Sequence, residues 1–220
     1  LCMGEDAEET EPRHVRLKNL AEEHGLAGAE IVLRFGRSDG EAEKRLREGL
    51  YDLVLLSPRS DAGDDPDDLV TDLLQAAVAP ILIARGEPRP IRRLLLATAA
   101  GEPGKTTVRG GARLAARLGA TLTLLHVSRG DPSEGTRVES HLGKAAATAR
   151  GLDVGCEVRL CRAGDPAAAI VSEAREGGHD VIVIGAHGPG PRSIKGREDV
   201  MLRILAEADR PVLVVPDGTA

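Results

Sequence analysis

Two glycine-rich stretches of this 220-residue chain carry residue types that bind phosphate. The first contains Gly104-Lys105-Thr106, between an apolar run and an alanine-rich helical pattern. A phosphate-binding loop of the form G-x-x-x-x-G-K-[ST] also stands between a strand and a helix, where its backbone N–H groups surround the phosphates. The first glycine of that spacing is here Ala99. The motif is incomplete, and we interpret Pro103 and Gly104 as a turn that leads into a helix beginning near Thr106.

The second stretch, residues 185–199, is the better candidate for an anion-binding loop. It contains Gly185, Gly188 and Gly190, followed by Arg192 and Ser193. Glycines let backbone N–H groups approach an anion closely, and the arginine and serine add further donors. The alternative interpretation is a solvated loop that holds no ligand.

No other set of residues has the order or spacing of a catalytic or metal site. His126 and His179 stand alone at strand ends, and no Ser–His–Asp or Cys–His arrangement accompanies them. Residues 57–68 are acidic but lack the spacing of a calcium loop. Cys156 and Cys161 are five residues apart in a strand-like run, so they should point to opposite faces and form neither a disulfide nor a metal clamp. We predict no catalytic residue, no metal and no required cofactor.

Composition excludes several classes of partner. The net charge is −6 and only 1% of residues are aromatic, which argues against binding to duplex or single-stranded nucleic acid. No apolar run approaches the roughly 20 residues that span a bilayer, so we expect no membrane association. The few cysteines suit a reducing compartment, and we predict a cytoplasmic location.

The elements that would position these loops occur twice along the chain. YDLVLLSPRS (51–60) matches HDVIVIGAHG (179–188), and DDLVTDLLQAAVAPILIAR (67–85) matches EDVMLRILAEADRPVLVVP (198–216). Short β-branched runs alternate with amphipathic helical patterns, which is typical of a parallel sheet covered by helices on both faces. A repeat of this length indicates a duplicated domain rather than a solenoid.

The repeat predicts the domain boundaries. Residues 91–217 contain a complete set of five strands and four helices, residues 1–85 form a partial first domain, and residues 86–90 link them. The first copy lacks the opening strand and helix, and Leu1-Cys2-Met3 would be the tail of its second strand. We infer a fragment of a two-domain protein, with a small divergent first domain as the alternative.

These residues resemble the universal stress protein family in its tandem form. The resemblance rests on RLGATLTLLHV (117–127), on Gly164-Asp165-Pro166 at a helix start, and on DVIVIGAHG (180–188) followed at a distance by PVLVVP (211–216). It implies an α/β sandwich of the adenine-nucleotide alpha hydrolase-like type, with a five-stranded parallel sheet in each of two copies.

The resemblance also implies a nucleotide signature, which this chain matches only in part. The family pattern is Gly, two residues, Gly, nine residues, Gly and then Ser or Thr. Gly185 and Gly188 match its first half, but Glu198 and Asp199 occupy the second, and Ala99 stands where nucleotide-binding members carry Asp. We interpret Asp199 as a helix N-cap and the ATP site as degraded; binding of ATP or another adenine nucleotide remains the alternative.

The prediction that follows is a non-enzymatic stress-response module that binds partners or a small ligand. One alternative is a nucleotide-binding protein with weak ATPase activity that uses residues 185–199. Another is the soluble regulatory tail of a larger transporter or sensor. The last strands of the two copies, residues 81–85 and 212–216, should pair antiparallel in an intramolecular pseudo-dimer. Assembly of several chains into a homo-oligomer is a further alternative.

Overall fold

The structure is a computed structural model, and most of the residues that it describes lie in the second half of the chain. The described residues are 2–4, 15–16, 18–19, 22–23, 33–35, 44, 51–56, 79–87, 89–99, 102–130, 135–186 and 197–216. Four of the predicted site residues lie outside the described residues: Gly188, Gly190, Arg192 and Ser193.

Strands and helices alternate along the second half, as the sequence predicts. The described strands are β1 (Cys2–Gly4), β2 (Leu33–Phe35), β3 (Val54–Leu56), β4 (Ile81–Ile83), β5 (Arg93–Ala97), β6 (Thr121–Ser128), β7 (Cys156–Arg162), β8 (Val181–Ala186) and β9 (Val212–Pro216). The described helices are α1 (Glu102–Leu118), α2 (Gly135–Arg150), α3 (Pro166–Glu176) and α4 (Arg197–Glu207).

Five strands of the second half form a parallel sheet in the order β9-β8-β5-β6-β7. Its central strands are continuous apolar runs, and Leu94, Leu95 and Leu96 of β5 are all fully buried. Such runs are expected where helices cover both faces of a parallel sheet. The α/β fold with a mainly parallel sheet therefore agrees with the sequence prediction.

The helices divide the core into two apolar layers. On one face of the sheet, α1 and α2 pack through residues such as Ala112 and Leu142 against Leu96. On the other face, α3 and α4 pack through residues such as Ile170 and Ile204. Because each helix presents one apolar stripe to the sheet, its polar side is left to solvent.

Two strands of the first half extend this sheet beyond β9. β4 lies antiparallel to β9, with Ile81 opposite Val214 and Ile83 opposite Val212, and β3 lies parallel to β4. Ile81 and Ile83 are fully buried and belong to the same apolar layer as α3 and α4. The antiparallel contact of these two segments is the one predicted from the repeat, whereas the pseudo-dimer as a functional unit stays a prediction.

The remaining described strands form a separate pair. β1 and β2 are parallel, with Cys2 opposite Leu33 and Gly4 opposite Phe35. The helix expected after residue 66 lies outside the described residues. Among the described residues, none of the helices combines the length and apolar composition that crossing a lipid bilayer requires.

Candidate functional site

The candidate site lies at the edge of the sheet where β5, β6 and β8 end, which we call the carboxyl edge. These three strands are parallel, so their last residues and the loops that follow meet at this edge. Ligands of open parallel sheets bind beyond such ends, where the direction of winding changes. The predicted residue Gly185 lies here, one position before the end of β8.

Gly185 has a packing role that the sequence did not reveal. A Cβ atom at this position would lie 2.4 Å from Oγ1 of Thr107 in α1, far inside van der Waals contact. Thr107 is itself buried, with 2% of its surface exposed. The glycine therefore allows β8 and α1 to approach each other closely, whether or not the following loop holds an anion.

The first glycine-rich stretch is part of a helix rather than a loop. The helix α1 begins at Glu102, so Gly104, Lys105 and Thr106 belong to its first turns. The predicted start near Thr106 was four residues too late. Proline is well tolerated in the first turn of a helix because the N–H group that it lacks has no partner there, and Pro103 therefore did not mark a boundary. A helical backbone at Gly104 also does not form the phosphate-binding loop.

The start of the last helix corrects a second prediction. The helix α4 begins at Arg197, which places Glu198 and Asp199 inside its first turn instead of placing Asp199 at the N-cap. Acidic residues are favourable in either position because the helix dipole is positive at this end. The helix therefore begins three residues earlier than an N-cap at Asp199 implies, because sequence patterns locate the ends of helices less reliably than their interiors.

A pair of histidines lies beside the end of β5. His126 Nδ1 lies 2.9 Å from the carbonyl oxygen of Thr98, and His141 Nε2 of α2 lies 3.0 Å from the Thr98 hydroxyl. Because a carbonyl only accepts, His126 must carry its proton on Nδ1. Its Nε2 is buried and has no hydrogen-bond partner among the described residues.

Burial lowers the pKa of His141, and the nearby charges of His126, Lys105 and Lys144 lower it further. The neutral form of His141 is therefore favoured at neutral pH. In the sequence His126 is an isolated strand-end histidine, and no motif points to Thr98 or His141. No periodicity or spacing links these three positions, because the fold brings them together from β5, β6 and α2.

An open depression of about 670 Å³ also lies at the carboxyl edge, and it is lined in part by Arg129 and by the first turns of α3 and α4. Asp165 caps α3: its carboxylate accepts from Ala168 N at 3.2 Å and from Arg203 of α4 at 2.9 Å. The hydrogen bond from the backbone and the adjacent guanidinium hold the pKa of Asp165 below its usual value. Arg129 has no ion-pair partner among the described residues, so its positive charge is not neutralised where it lines the depression.

His179 lies at the opposite edge of the sheet and is structural. It is fully buried, with Nε2 2.9 Å from the Thr123 hydroxyl and Nδ1 3.3 Å from the carbonyl oxygen of Glu173. Its own carbonyl accepts from the buried guanidinium of Arg210 at 2.7 Å. Burial lowers the pKa of His179, which keeps the imidazole neutral.

The remaining sequence expectations concern metals and cysteines. In the part of the chain that the structure describes, no three His, Cys, Asp or Glu residues are grouped in a way that could hold a metal ion. Cys156 and Cys161 are both unpaired, and they pack against the two opposite apolar layers. Their separation follows from the alternation of side chains along β7.

Comparison with known proteins identifies the family of this chain. The model of the universal stress protein family matches residues 90–216. The chain belongs to the universal stress protein family. No curated protein matches its sequence.

Solved structures of universal stress proteins share its fold. One from Archaeoglobus fulgidus DSM 4304 is 18% identical and has a TM-score of 0.70; the match covers 96% of this chain and 78% of that one. A putative universal stress protein from Pseudomonas aeruginosa UCBPP-PA14 is 19% identical with a TM-score of 0.65, over 97% and 80% of the two chains. A shorter universal stress protein from Archaeoglobus fulgidus, solved in complex with dAMP, is 20% identical and has a TM-score of 0.48; the match covers 58% of this chain and 99% of that one.

Proposed function

We propose that this universal stress protein is a non-enzymatic, cytoplasmic stress-response module. It binds a small ligand or a partner at the carboxyl edge and does not turn over ATP. Its ATP signature has lost the residues that would contact phosphates, whereas the depression beside it retains the size of a small-molecule site, for which roughly 300–1,000 Å³ is usual.

The observation that carries this proposal is the position of Glu198 and Asp199 in the first turn of α4. A helix N-terminus attracts phosphate through its free N–H groups and its dipole. Two carboxylates in the same turn already complement that dipole and repel a polyphosphate. Ala99, which follows the end of β5, removes a further polar group that the family resemblance would place beside the nucleotide.

The geometry of the histidine pair supports binding rather than catalysis. His126 donates to a backbone carbonyl, and His141 is hydrogen-bonded to the Thr98 hydroxyl. Among the residues that the structure describes, no carboxylate orients either imidazole, and no cysteine or serine lies within hydrogen-bonding distance of either one in the manner of an activated nucleophile.

We also propose that the chain is a tandem pair of domains in which the first lacks counterparts of β5 and α1. In the repeat, Leu53 and Leu55 correspond to Val181 and Val183. The two valines are completely buried in the apolar layer that α1 and α2 cover, and β5 lies beside them in the sheet, whereas the two leucines are 46% and 64% exposed. The difference supports a first domain in which that strand–helix unit is missing from the face of β3.

The proposal is tested by thermal unfolding with ATP, AMP and inorganic phosphate at about 1 mM. We expect no change in melting temperature for the native chain with ATP. Ligand at one hundred times its dissociation constant stabilises a protein by about 2.7 kcal/mol, a shift that is easily measured. Mass spectrometry of co-purifying small molecules identifies any other ligand.

A repaired variant provides the matched comparison. Ala99→Asp, Glu198→Gly and Asp199→Ser together should restore measurable ATP binding, and Ala99→Asp alone should not. Clear stabilisation of the native chain by ATP, or ATP hydrolysis above the buffer rate, would overturn the proposal in favour of the weak ATPase.

A further inference from the structure

The strand β7 forms one end of the seven-stranded sheet and has apolar side chains exposed on one face. It pairs with β6 along its inner side, and among the described residues no strand lies along its outer side. Val158 and Leu160 are 43% and 61% exposed. Side chains alternate along a strand, so these two residues share the face on which Cys156 packs against the apolar layer of α1 and α2.

The other face of β7 carries charges of both signs. Arg159 donates to Glu157 at 2.9 Å and also bonds to Glu173 of α3. Glu157 and Arg159 are adjacent on this face and remain partly exposed, with 55% and 37% of their side-chain surface accessible. A long, partly apolar edge strand is a template for pairing with another strand.

The backbone bonds to β6 fix which groups of β7 face outward. Leu122 N donates to the carbonyl of Gly155, and Ala163 N donates to the carbonyl of Ser128. In a parallel pair, alternate residues of one strand bond to the same neighbour, so the odd-numbered residues of β7 bond to β6. The N–H and C=O groups of Cys156, Val158 and Leu160 therefore point to the open side.

We propose that β7 pairs antiparallel with β7 of a second copy of this chain, with Val158 on the two-fold axis. In this register Glu157 of each copy lies opposite Arg159 of the other. The charges fall at the pairs without backbone bonds, where facing side chains are closest. Val158 meets Val158 of the second copy, and Leu160 meets Cys156, so the apolar side chains contact one another and expose less of their surface.

Charge complementarity selects this register over its neighbours. Moving the axis by one residue to Glu157 or to Arg159 would set two like charges directly opposite each other, which is unfavourable. Moving it to Leu160 would place Arg162 opposite Val158 and leave Glu157 without an opposite charge. A two-fold axis perpendicular to the sheet keeps each face on its own side, so the apolar and the charged faces remain continuous across the dimer.

The dimer should dissociate reversibly. A single pair of seven-residue strands is a small interface beside the roughly 1,200–2,000 Å² of a stable complex. The test is sedimentation velocity of the full chain from about 10 μM to 1 mM, together with thermal unfolding to confirm that each variant is folded. The native chain should show concentration-dependent dimerisation.

Charge exchange tests the register. Glu157→Arg and Arg159→Glu each alter two cross-strand pairs and should each weaken dimerisation about tenfold, since each pair accounts for roughly a threefold change. The variant carrying both changes restores opposite charges and should regain the native dissociation constant to within about threefold. Arg162→Glu, which lies on the same strand outside the charge pairs, is the matched control and should change it less than twofold.

The remaining outcomes would overturn the proposal. They are a native chain that stays monomeric at 1 mM, a dissociation constant that is the same in all four variants, and a folded double variant that fails to recover. A strong effect of Arg162→Glu would favour the register centred on Leu160 and would overturn this one.

Discussion

Replacing Gly185 by alanine tests whether the first glycine of the predicted loop is required by packing. The new Cβ would lie 2.4 Å from Oγ1 of Thr107 but 3.6 Å from its Cβ, so a single oxygen atom causes the clash. Both residues lie in regular structure, where neither backbone can move freely. Overpacking of this kind costs about 1–3 kcal/mol, and we expect Gly185→Ala to lower the free energy of unfolding by that amount.

The second substitution of the cycle, Thr107→Ala, removes the clashing hydroxyl together with the γ-methyl group of Thr107, and its own cost is measured separately in the cycle. In that background Gly185→Ala should be neutral or should stabilise the protein by up to about 1 kcal/mol, since alanine lowers the entropy of the unfolded chain. The coupling free energy between the two sites is then about 1–3 kcal/mol. Gly155→Ala is the control, because its nearest neighbour would be an ordinary contact at 3.7 Å.

Urea unfolding followed by circular dichroism measures this cycle, because the chain has no tryptophan and one tyrosine for fluorescence. The packing explanation fails if Gly185→Ala changes the free energy of unfolding equally with and without the Thr107 hydroxyl. A native-like stability of Gly185→Ala together with a loss of ligand binding would instead assign the glycine to the anion loop.

Three further predictions use the same unfolding measurement. Arg210→Ala should cost about 3–5 kcal/mol, because the guanidinium is buried and donates to two backbone carbonyls. Arg203→Ala, which removes exposed ion pairs, should lower the free energy of unfolding far less, and similar costs for the two variants would contradict this account. Ile83→Ala should cost about 2–5 kcal/mol and Leu55→Ala less than about 1 kcal/mol, and the reverse order would show that the face of β3 is covered. The pKa of His141 is lowered in the folded state, so on acidification the unfolded chain takes up this proton first. The contribution of His141 to the free energy of unfolding is therefore complete above the unfolded pKa of 6.5 and is lost as the pH falls toward the folded pKa. The free energy of unfolding of His141→Gln should accordingly depend less on pH in this range than that of the native chain.

The alternation of apolar runs and amphipathic patterns was sufficient to predict the fold of the second half. The run RLLLA of β5 and the run VIVIGA of β8 are apolar on both faces, which indicates buried parallel strands between helices. Gly164-Asp165-Pro166 also predicted a helix start, and Asp165 caps α3 with Pro166 in its first turn. These features depend on neighbouring residues, so the local sequence carries them.

Helix starts and the lining of the site were decided by tertiary structure. Pro103 and Gly104 resemble a turn, yet α1 extends through both. A proline in the first turn of a helix loses no hydrogen bond, and the packing of the helix on the sheet outweighs the low helix propensity of glycine. The contact of Gly185 with Thr107 spans two elements that are almost 80 residues apart. Likewise, Thr98, His126 and His141 meet only because β5 and β6 are adjacent in the sheet and α2 covers them. Periodicity reports which face of an element is apolar, but it does not report which side chains of distant elements share an edge.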